Sequence, residues 1–374
     1  MNKKVLDSYE IDYIEQYVPM AKPLVYWHIH ALGFEMAAYR GLDNGCPGYS
    51  SYLLRSNNIK ILLTSVYPFR KSEPDKDVQE FVRAHHAGVK RIVLRTASVG
   101  ISFSHALERG AIPLRFPNKV ADESGFIEEA AIRLYDDSEL VFLNREQYKG
   151  VFLPGFKEER WCQSELPPLF VNIDHVASEL RMNQMEYWTK YLRQVLGINV
   201  VQQITRSDDN NTGMLMNIGQ SPNGKITIVI AEPESAGKGS RVQQNIDNYG
   251  PGIHHIAFAT EDIVKTVKML TKRGVEMVRF PPSYYELLRS DPEFEHFDID
   301  EIEEQGILID KDGESYLLQK FMKPYGDRPF FIYEIVQRVN GYHGFAIKNI
   351  NTLKKAEERE LMKVRQLEPD ATSK

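Results

Sequence analysis

Cysteine is nearly missing from this 374-residue chain: there are two, Cys46 and Cys162, far apart. Neither their number nor their spacing supports a disulfide framework or a thiolate metal site. No run of about 18 apolar residues occurs, so no membrane-spanning helix is expected. The opening MNKKVLDSYE carries positive charge with no apolar stretch behind it, so no secretory signal is expected either. A basic excess is also lacking: 46 Lys and Arg face 52 Asp and Glu, a net charge of −6. That argues against a nucleic-acid partner, whose binding surfaces cluster Lys and Arg. What remains, 42% hydrophobic and 26% charged residues, suits a cytoplasmic enzyme or binding protein with a sizeable core and room for two domains.

What the chain does contain is a repeat. EIDYIEQYV (10–18) parallels NIDHVASEL (172–180): Ile-Asp, a ring-bearing residue, then a strand-like run. Each leads into a helical stretch with paired aromatics, YWHIHALGFEM (26–36) and YWTKYLRQVLGINV (187–200), broken at Leu-Gly before an extended run. Further on, AGVKRIVLRTASV (87–99) parallels PGIHHIAFATEDI (251–263), and Tyr13 stands nearly as far from Arg91 as His175 from His255. Two copies of a βαβββ-type module, each repeated again within its half, predict an α+β fold with two tandem domains. The expected divisions are a first domain over 9–154, a polar Pro-Pro-containing linker over 155–168, a second domain over 169–353, and a charged C-terminal helix and tail over 354–374.

Positions at which the halves differ are informative. Tyr13 matches His175, Arg91 matches His255, and ELVFLNR (139–145) against IYEIVQR (332–338) sets Val141 against Glu334. Two imidazoles and a carboxylate on strands of one half form the ligand set of a non-haem Fe(II) oxygenase, with open positions for substrate and O₂. Adjacent strand residues point to opposite faces. His255 with Ala257 and Ala259 is therefore expected to face a cavity, and His254 with Ile256 and Phe258 to face away.

Several stretches resemble the family of 4-hydroxyphenylpyruvate dioxygenase and 4-hydroxymandelate synthase: NIDHVASEL, YGPGIHHIAFATEDI, LLQKFMKPYGDRPFFIYEIVQR, GFAIKNINTL, FLPGF (152–156) and the N-terminal PMAKPLVYWHIHALGFEMAAYRGLDNG. The resemblance runs from about Tyr9 to Glu360. It implies a pair of vicinal-oxygen-chelate (glyoxalase/bleomycin-resistance-like) domains, with an open half-barrel in the C-terminal one. Fe(II) is then held there by His175, His255 and Glu334, and the N-terminal domain holds no metal. An aromatic 2-oxo acid is implied as substrate and O₂ as co-substrate, with no separate 2-oxoglutarate. Family members form dimers or tetramers, which leaves a homo-oligomer open.

The resemblance also implies pocket residues: Gln319 and Phe321 in LLQKF, Phe345 in GFAIKN, and Asn349 with Ile350 in the C-terminal helix motif. The family's dioxygenases have Phe in the place of Ile350; Ile there resembles the mandelate synthase, in which the benzylic carbon rather than the ring is oxidised. Met216 stands where the family has Ser, Ala231 where it has Asn, and His254 where it has Gln. A pocket so lined offers less to a phenolic hydroxyl. Conversion of 4-hydroxyphenylpyruvate to homogentisate is the family default, benzylic hydroxylation to a mandelate the alternative.

Other features are expected to be structural. His28 and His30 read as surface or interdomain residues, His85-His86 as a surface turn, SAGKGS (235–240) as a mobile loop without phosphate-loop order, and Asp174 as pointing away from His175. A metal-free binding protein on the same fold would have no use for the His/His/Glu set. An extradiol catechol dioxygenase shares that set but not KPYGDRPFFIYEIVQR.

Overall fold

The computed structural model describes residues 6–67, 73–160, 164–205, 213–235, 240–353, 355, 356 and 359. Cys162, most of the 235–240 loop and nearly all of the 354–374 tail lie outside them. The first sheet contains β1 (Glu10–Tyr17), β2 (Glu35–Arg40), β3 (Tyr49–Ser56), β4 (Ile59–Val66), β5 (Gly88–Arg95), β6 (Pro113–Asp122), β7 (Gly125–Leu134), β8 (Ser138–Asn144) and β9 (Lys157–Glu158). The second contains β10 (Ile173–Glu179), β11 (Asn199–Ile204), β12 (Met214–Gln220), β13 (Thr227–Pro233), β14 (Gly252–Ala259), β15 (Leu308–Asp312), β16 (Ser315–Phe321) and β17 (Ile332–Val339).

The strand orders are β6-β7-β8-β5-β1-β4-β3-β2-β9 and β11-β12-β13-β10-β14-β17-β16-β15. Reversing the first and setting β9 aside superimposes them strand for strand. Each sheet is two βαβββ modules, each closed by a parallel pair (β1·β4 and β5·β8; β10·β13 and β14·β17) and joined by the antiparallel pairs β1·β5 and β10·β14. The α+β duplicated fold is as expected. Part of the expected linker differs: residues 157–158 pair with β2, and Phe156 is buried against the first sheet.

Helices cover one face of each sheet. α1 (Ala21–His30), α2 (Glu73–His85) and α3 (Val99–Leu107) belong to the first half; α4 (Met185–Leu196), α5 (Arg241–Tyr249), α6 (Ile263–Lys272), α7 (Pro282–Arg289) and α8 (Ile299–Gln305) to the second. α4 shows why: Met185, Trp188, Tyr191, Leu192, Val195 and Leu196 recur at helical spacing and are buried, and Gly197 ends the helix with φ 73°. Ser240 caps α5 by accepting from the Gln243 amide, and Gly250 (φ 99°) turns the chain into β14. No described helix is long and apolar enough to cross a membrane.

The opposite faces of the two sheets are treated differently. In the first half, Tyr13, Val93, Val141, Phe152 and Phe156 fill the hollow of the sheet with a packed cluster. In the second, the corresponding face carries small or separated apolar groups such as Ala177, Met216, Val229 and Ala257. A cavity survives there.

Candidate metal centre

β10, β14 and β17 lie side by side and place His175, His255 and Glu334 around one point. The Nε2 atoms of His175 and His255 stand 3.1 and 3.2 Å from Glu334 Oε2. All three ligating atoms lie within 4.8 Å of one another. Ligand atoms about 2.1 Å from a common ion and at right angles to each other are about 3.0 Å apart, so these separations fit three ligands on one side of an ion. Together, two imidazole nitrogens and a carboxylate match a facial triad. The group forms the floor of a cavity of about 370 Å³. Two larger clefts, of about 770 and 870 Å³, hold no such convergence of donors among the described residues.

The electrostatics agree with that chemistry. Burial disfavours charge on His175, but the Glu334 and Asp174 carboxylates outweigh it and raise the imidazole to about 9. Burial likewise disfavours the Glu334 carboxylate, yet the two imidazoles bring it down to about 2. For His255 burial wins and its pKa is lowered. With no ion bound, the Glu334 and Asp174 carboxylates keep the His175 imidazole protonated at neutral pH.

Two β-bulges shape the site, and both correct an expectation. In the β10·β14 ladder, Ile173 pairs Phe258 and His175 pairs Ala257, leaving Asp174 extra; Ala177 pairs His255 and Ser178 pairs Ile253, leaving His254 extra. An extra residue breaks the strict alternation of faces. His254 therefore lies beside His255, Nδ1 to Nδ1 at 2.8 Å, and both line the cavity. Asp174 turns back to His175, its Oδ1 accepting from Nδ1 at 2.8 Å, so the ring presents Nε2 to the site. Arg338 grips the same carboxylate with Nε at 2.7 Å and Nη2 at 2.9 Å, and its Nη1 donates to the Gly344 carbonyl at 2.7 Å. One guanidinium thus ties the ligand's partner to the loop bearing Phe345, whose ring centre is 5.7 Å from that of His175. Asp174→Asn is expected to weaken metal binding by about 10–100-fold, with the fold kept because Arg338 retains its carbonyl partners. Calorimetric metal titration alongside a melting curve checks both.

The first half shows which of these features belong to the fold. Its β1·β5 ladder carries the same two bulges, at Asp12 and Lys90. Asp12 pairs with Arg145 at 3.2 Å, as Asp174 does with Arg338. The three central positions are instead Tyr13, Arg91 and Val141, with Val141 opposite Val93 as Glu334 is opposite Ala257. Arg91 donates to Glu15 and Glu139 at 2.9 Å each, closing the hollow with a charge cluster. The bulges and the Asp–Arg pair are common scaffold. Among the described residues, the His/His/Glu convergence is confined to the second half.

Comparison with known proteins places this architecture. The sequence model of the Glyoxalase/Bleomycin resistance protein/Dioxygenase superfamily matches residues 172–294. A 4-hydroxyphenylpyruvate dioxygenase of Aspergillus fumigatus is 32% identical over 95% of this chain and 93% of its own length. One from Yarrowia lipolytica is 33% identical over 96% and 94%. The chain belongs to the 4-hydroxyphenylpyruvate dioxygenase family. Among solved structures, a mutant of 4-hydroxymandelate synthase from Streptomyces coelicolor superimposes with a TM-score of 0.80 at 25% identity, covering 95% of this chain and 99% of that one.

Of the pocket residues expected from the 4-hydroxyphenylpyruvate dioxygenase resemblance, Met216, Ala231, Gln319, Phe321, Phe345 and Ile350 line the cavity. Phe321 sets its ring edge-on to His255, centres 5.8 Å apart. Ile350 packs from the helical residues 347–353 onto the Met216 cluster. Asn349, one position earlier on that helix, lies on the other side: it is buried, its Oδ1 accepts from the Tyr284 hydroxyl at 2.7 Å, and it is not among the lining residues. Its place is in the anchoring of this helix to α7. Sequence reasoning passed over Glu179, Arg241 and Arg338, which also line the cavity. Glu179 follows His175 and Ala177 at period two, and that spacing was the available signal.

Two histidines outside the site are structural. His28 donates from Nδ1 to the Leu24 carbonyl at 2.7 Å, so its Nε2 accepts from the Tyr333 hydroxyl at 2.8 Å. Gln16 donates to the same hydroxyl at 2.7 Å. This ties the first half to the residue before Glu334. His85 was expected on a surface turn; it is buried, between the Tyr249 carbonyl at 2.8 Å and Asp137 at 2.6 Å, because β5 and β14 bring the two halves together there.

Proposed function

We propose that this chain is a non-haem Fe(II) dioxygenase that oxidatively decarboxylates and hydroxylates an aryl-2-oxo acid of the 4-hydroxyphenylpyruvate type, with homogentisate as product. The observation that carries this reading is the convergence of His175 Nε2, His255 Nε2 and a Glu334 oxygen on the floor of a largely apolar cavity, in a chain of this family. Bound Fe(II) supplies the site for the 2-oxo-carboxylate and the activation of O₂.

The chain's own residues do the rest. His175 and His255 present nitrogen lone pairs, and Asp174 keeps the His175 ring in the tautomer that does so. Glu334 stays ionised and leaves the site one charge short of neutralising a divalent ion, which a substrate carboxylate completes. Phe321 and Phe345 form edge-on walls against the two imidazoles and suit an aromatic ring. Met216, Val229, Leu317 and Ile350 keep water away from the reacting atoms.

Ile350 and the likeness to 4-hydroxymandelate synthase favour a second reading, benzylic hydroxylation to a mandelate. A branched aliphatic wall in place of a flat ring leaves the substrate's side-chain carbon free to approach the metal. Oxygen uptake with 4-hydroxyphenylpyruvate, followed by mass and NMR analysis of the product, separates the two. Ile350→Phe is expected to move the ring-to-benzylic product ratio by at least several-fold toward the ring. An unchanged ratio would show that this wall does not steer the reaction, and no oxygen uptake with any aryl-2-oxo acid would refute both readings.

A further inference from the structure

The far end of the cavity holds a carboxyl group that the metal chemistry does not use. His175, Ala177 and Glu179 succeed one another on one face of β10. At the strand rise, Glu179 is about 13 Å along the strand from His175. That gap is filled in line by an ion, a three-carbon oxo-acid chain, a six-membered ring and one hydrogen bond. Beside Glu179 in the ladder stands Ala231, and beside Ala231 stands Met216. In this row across three strands, the only polar side chain is that of Glu179.

That carboxyl is held in place but incompletely satisfied. Oε1 accepts from Asn245 Nδ2 on α5 at 3.0 Å, and His254 Nε2 stands 3.9 Å from the same oxygen. Oε2 is buried and has no hydrogen-bond partner. A buried acceptor left without a donor is costly. Burial raises the Glu179 pKa to about 8, and a donor that pairs Oε2 favours the ionised carboxylate that accepts it.

We infer that Glu179 is the recognition point for a hydrogen-bond donor on the ring of the substrate, a hydroxyl or an amino group at the end remote from the oxo acid. This rests on the proposed function for its orientation, since the oxo-acid end must lie at His175, His255 and Glu334. A ring without a donor leaves Oε2 unpaired in the complex. A ring that carries one pairs it, and the apolar row of Ala231 and Met216 accommodates the ring's edge without competing for the bond. Asn245 holds Oε1, and Oε2, closed off in this structure, reaches the ring's donor by a turn of the carboxyl about its last bond.

The test is equilibrium binding under nitrogen to the full chain reconstituted with Fe(II), using phenylpyruvate, 4-hydroxyphenylpyruvate and 4-aminophenylpyruvate. The two donor-bearing acids are expected to bind on the order of 10–100-fold more tightly than phenylpyruvate. Glu179→Leu should bring the three to within about threefold of one another. Glu179→Gln, which keeps an acceptor oxygen, should retain most of the preference. Equal affinities in the wild-type protein, or an undiminished preference in Glu179→Leu, would overturn the inference. Because the readout is binding, a protein that shows the preference yet consumes no oxygen would count against the proposed function while supporting the role of Glu179.

Discussion

Glu334→Gln is expected to reduce bound iron from about one ion per chain to almost none, and turnover by a thousand-fold or more, while the protein still folds. The carboxylate is 2% exposed and, among the described residues, is the only anion in contact with both imidazoles. An amide of the same shape fills its space, so the β14·β17 pairing and the Tyr333 network beside it need not change. What disappears is the negative charge, and with it the third ligand. Two imidazoles alone hold a divalent ion far more weakly and leave its charge uncompensated in a buried site. Loss of the carboxylate also removes the main influence that raises His175, whose imidazole then titrates lower. Iron analysis after anaerobic reconstitution, with circular dichroism as the folding control, decides the matter. Stoichiometric iron and full turnover in this variant would mean that the three residues do not form the metal centre.

The second large effect is on pH. With no ion bound, His175 has its pKa raised to about 9 and holds a proton at neutral pH; Glu334, lowered to about 2, does not. His255 has its pKa lowered and contributes little competition in this range. An entering ion must therefore displace one proton, from His175. The direction follows: below about pH 9 each unit of acidification weakens metal binding about tenfold, and above pH 9 the affinity levels off. Between pH 7 and pH 9 the change should be about 50-fold, with about one proton released per ion at pH 7. Co(II) titrations followed by absorbance across this range, with proton release measured in weak buffer, test it. A flat affinity from pH 7 to pH 9 would show that the His175–Glu334 pair holds no proton to displace.

Much of this was legible in the chain itself. The duplication could be read because IDY and IDH, and the two strands ending near Thr96 and Thr260, preserve spacing across the halves. Positions that differ between copies then singled out His175, His255 and Glu334, which the structure brings together. The period-two argument failed at Asp174 and His254, each the extra residue of a bulge. It failed at His85 as well, because what buries that ring comes from Tyr249 in the other half.

By itself, the sequence determined the doubled βαβββ architecture, the absence of any charge or cysteine pattern for other chemistries, and the three side chains that distinguish one copy from the other. These are properties of order and spacing along one chain. Only the tertiary structure decided which side chains surround the site. The bulges arise from the pairing of β10 with β14, strands separated by most of a module, and local alternation carries no trace of a mismatch between distant partners. The same holds for Arg338 clasping Asp174, for Arg91 closing the first hollow with Glu15 and Glu139, and for Glu179 standing alone in an apolar row. Each depends on which strands become neighbours, and that is set by the packing of the whole fold.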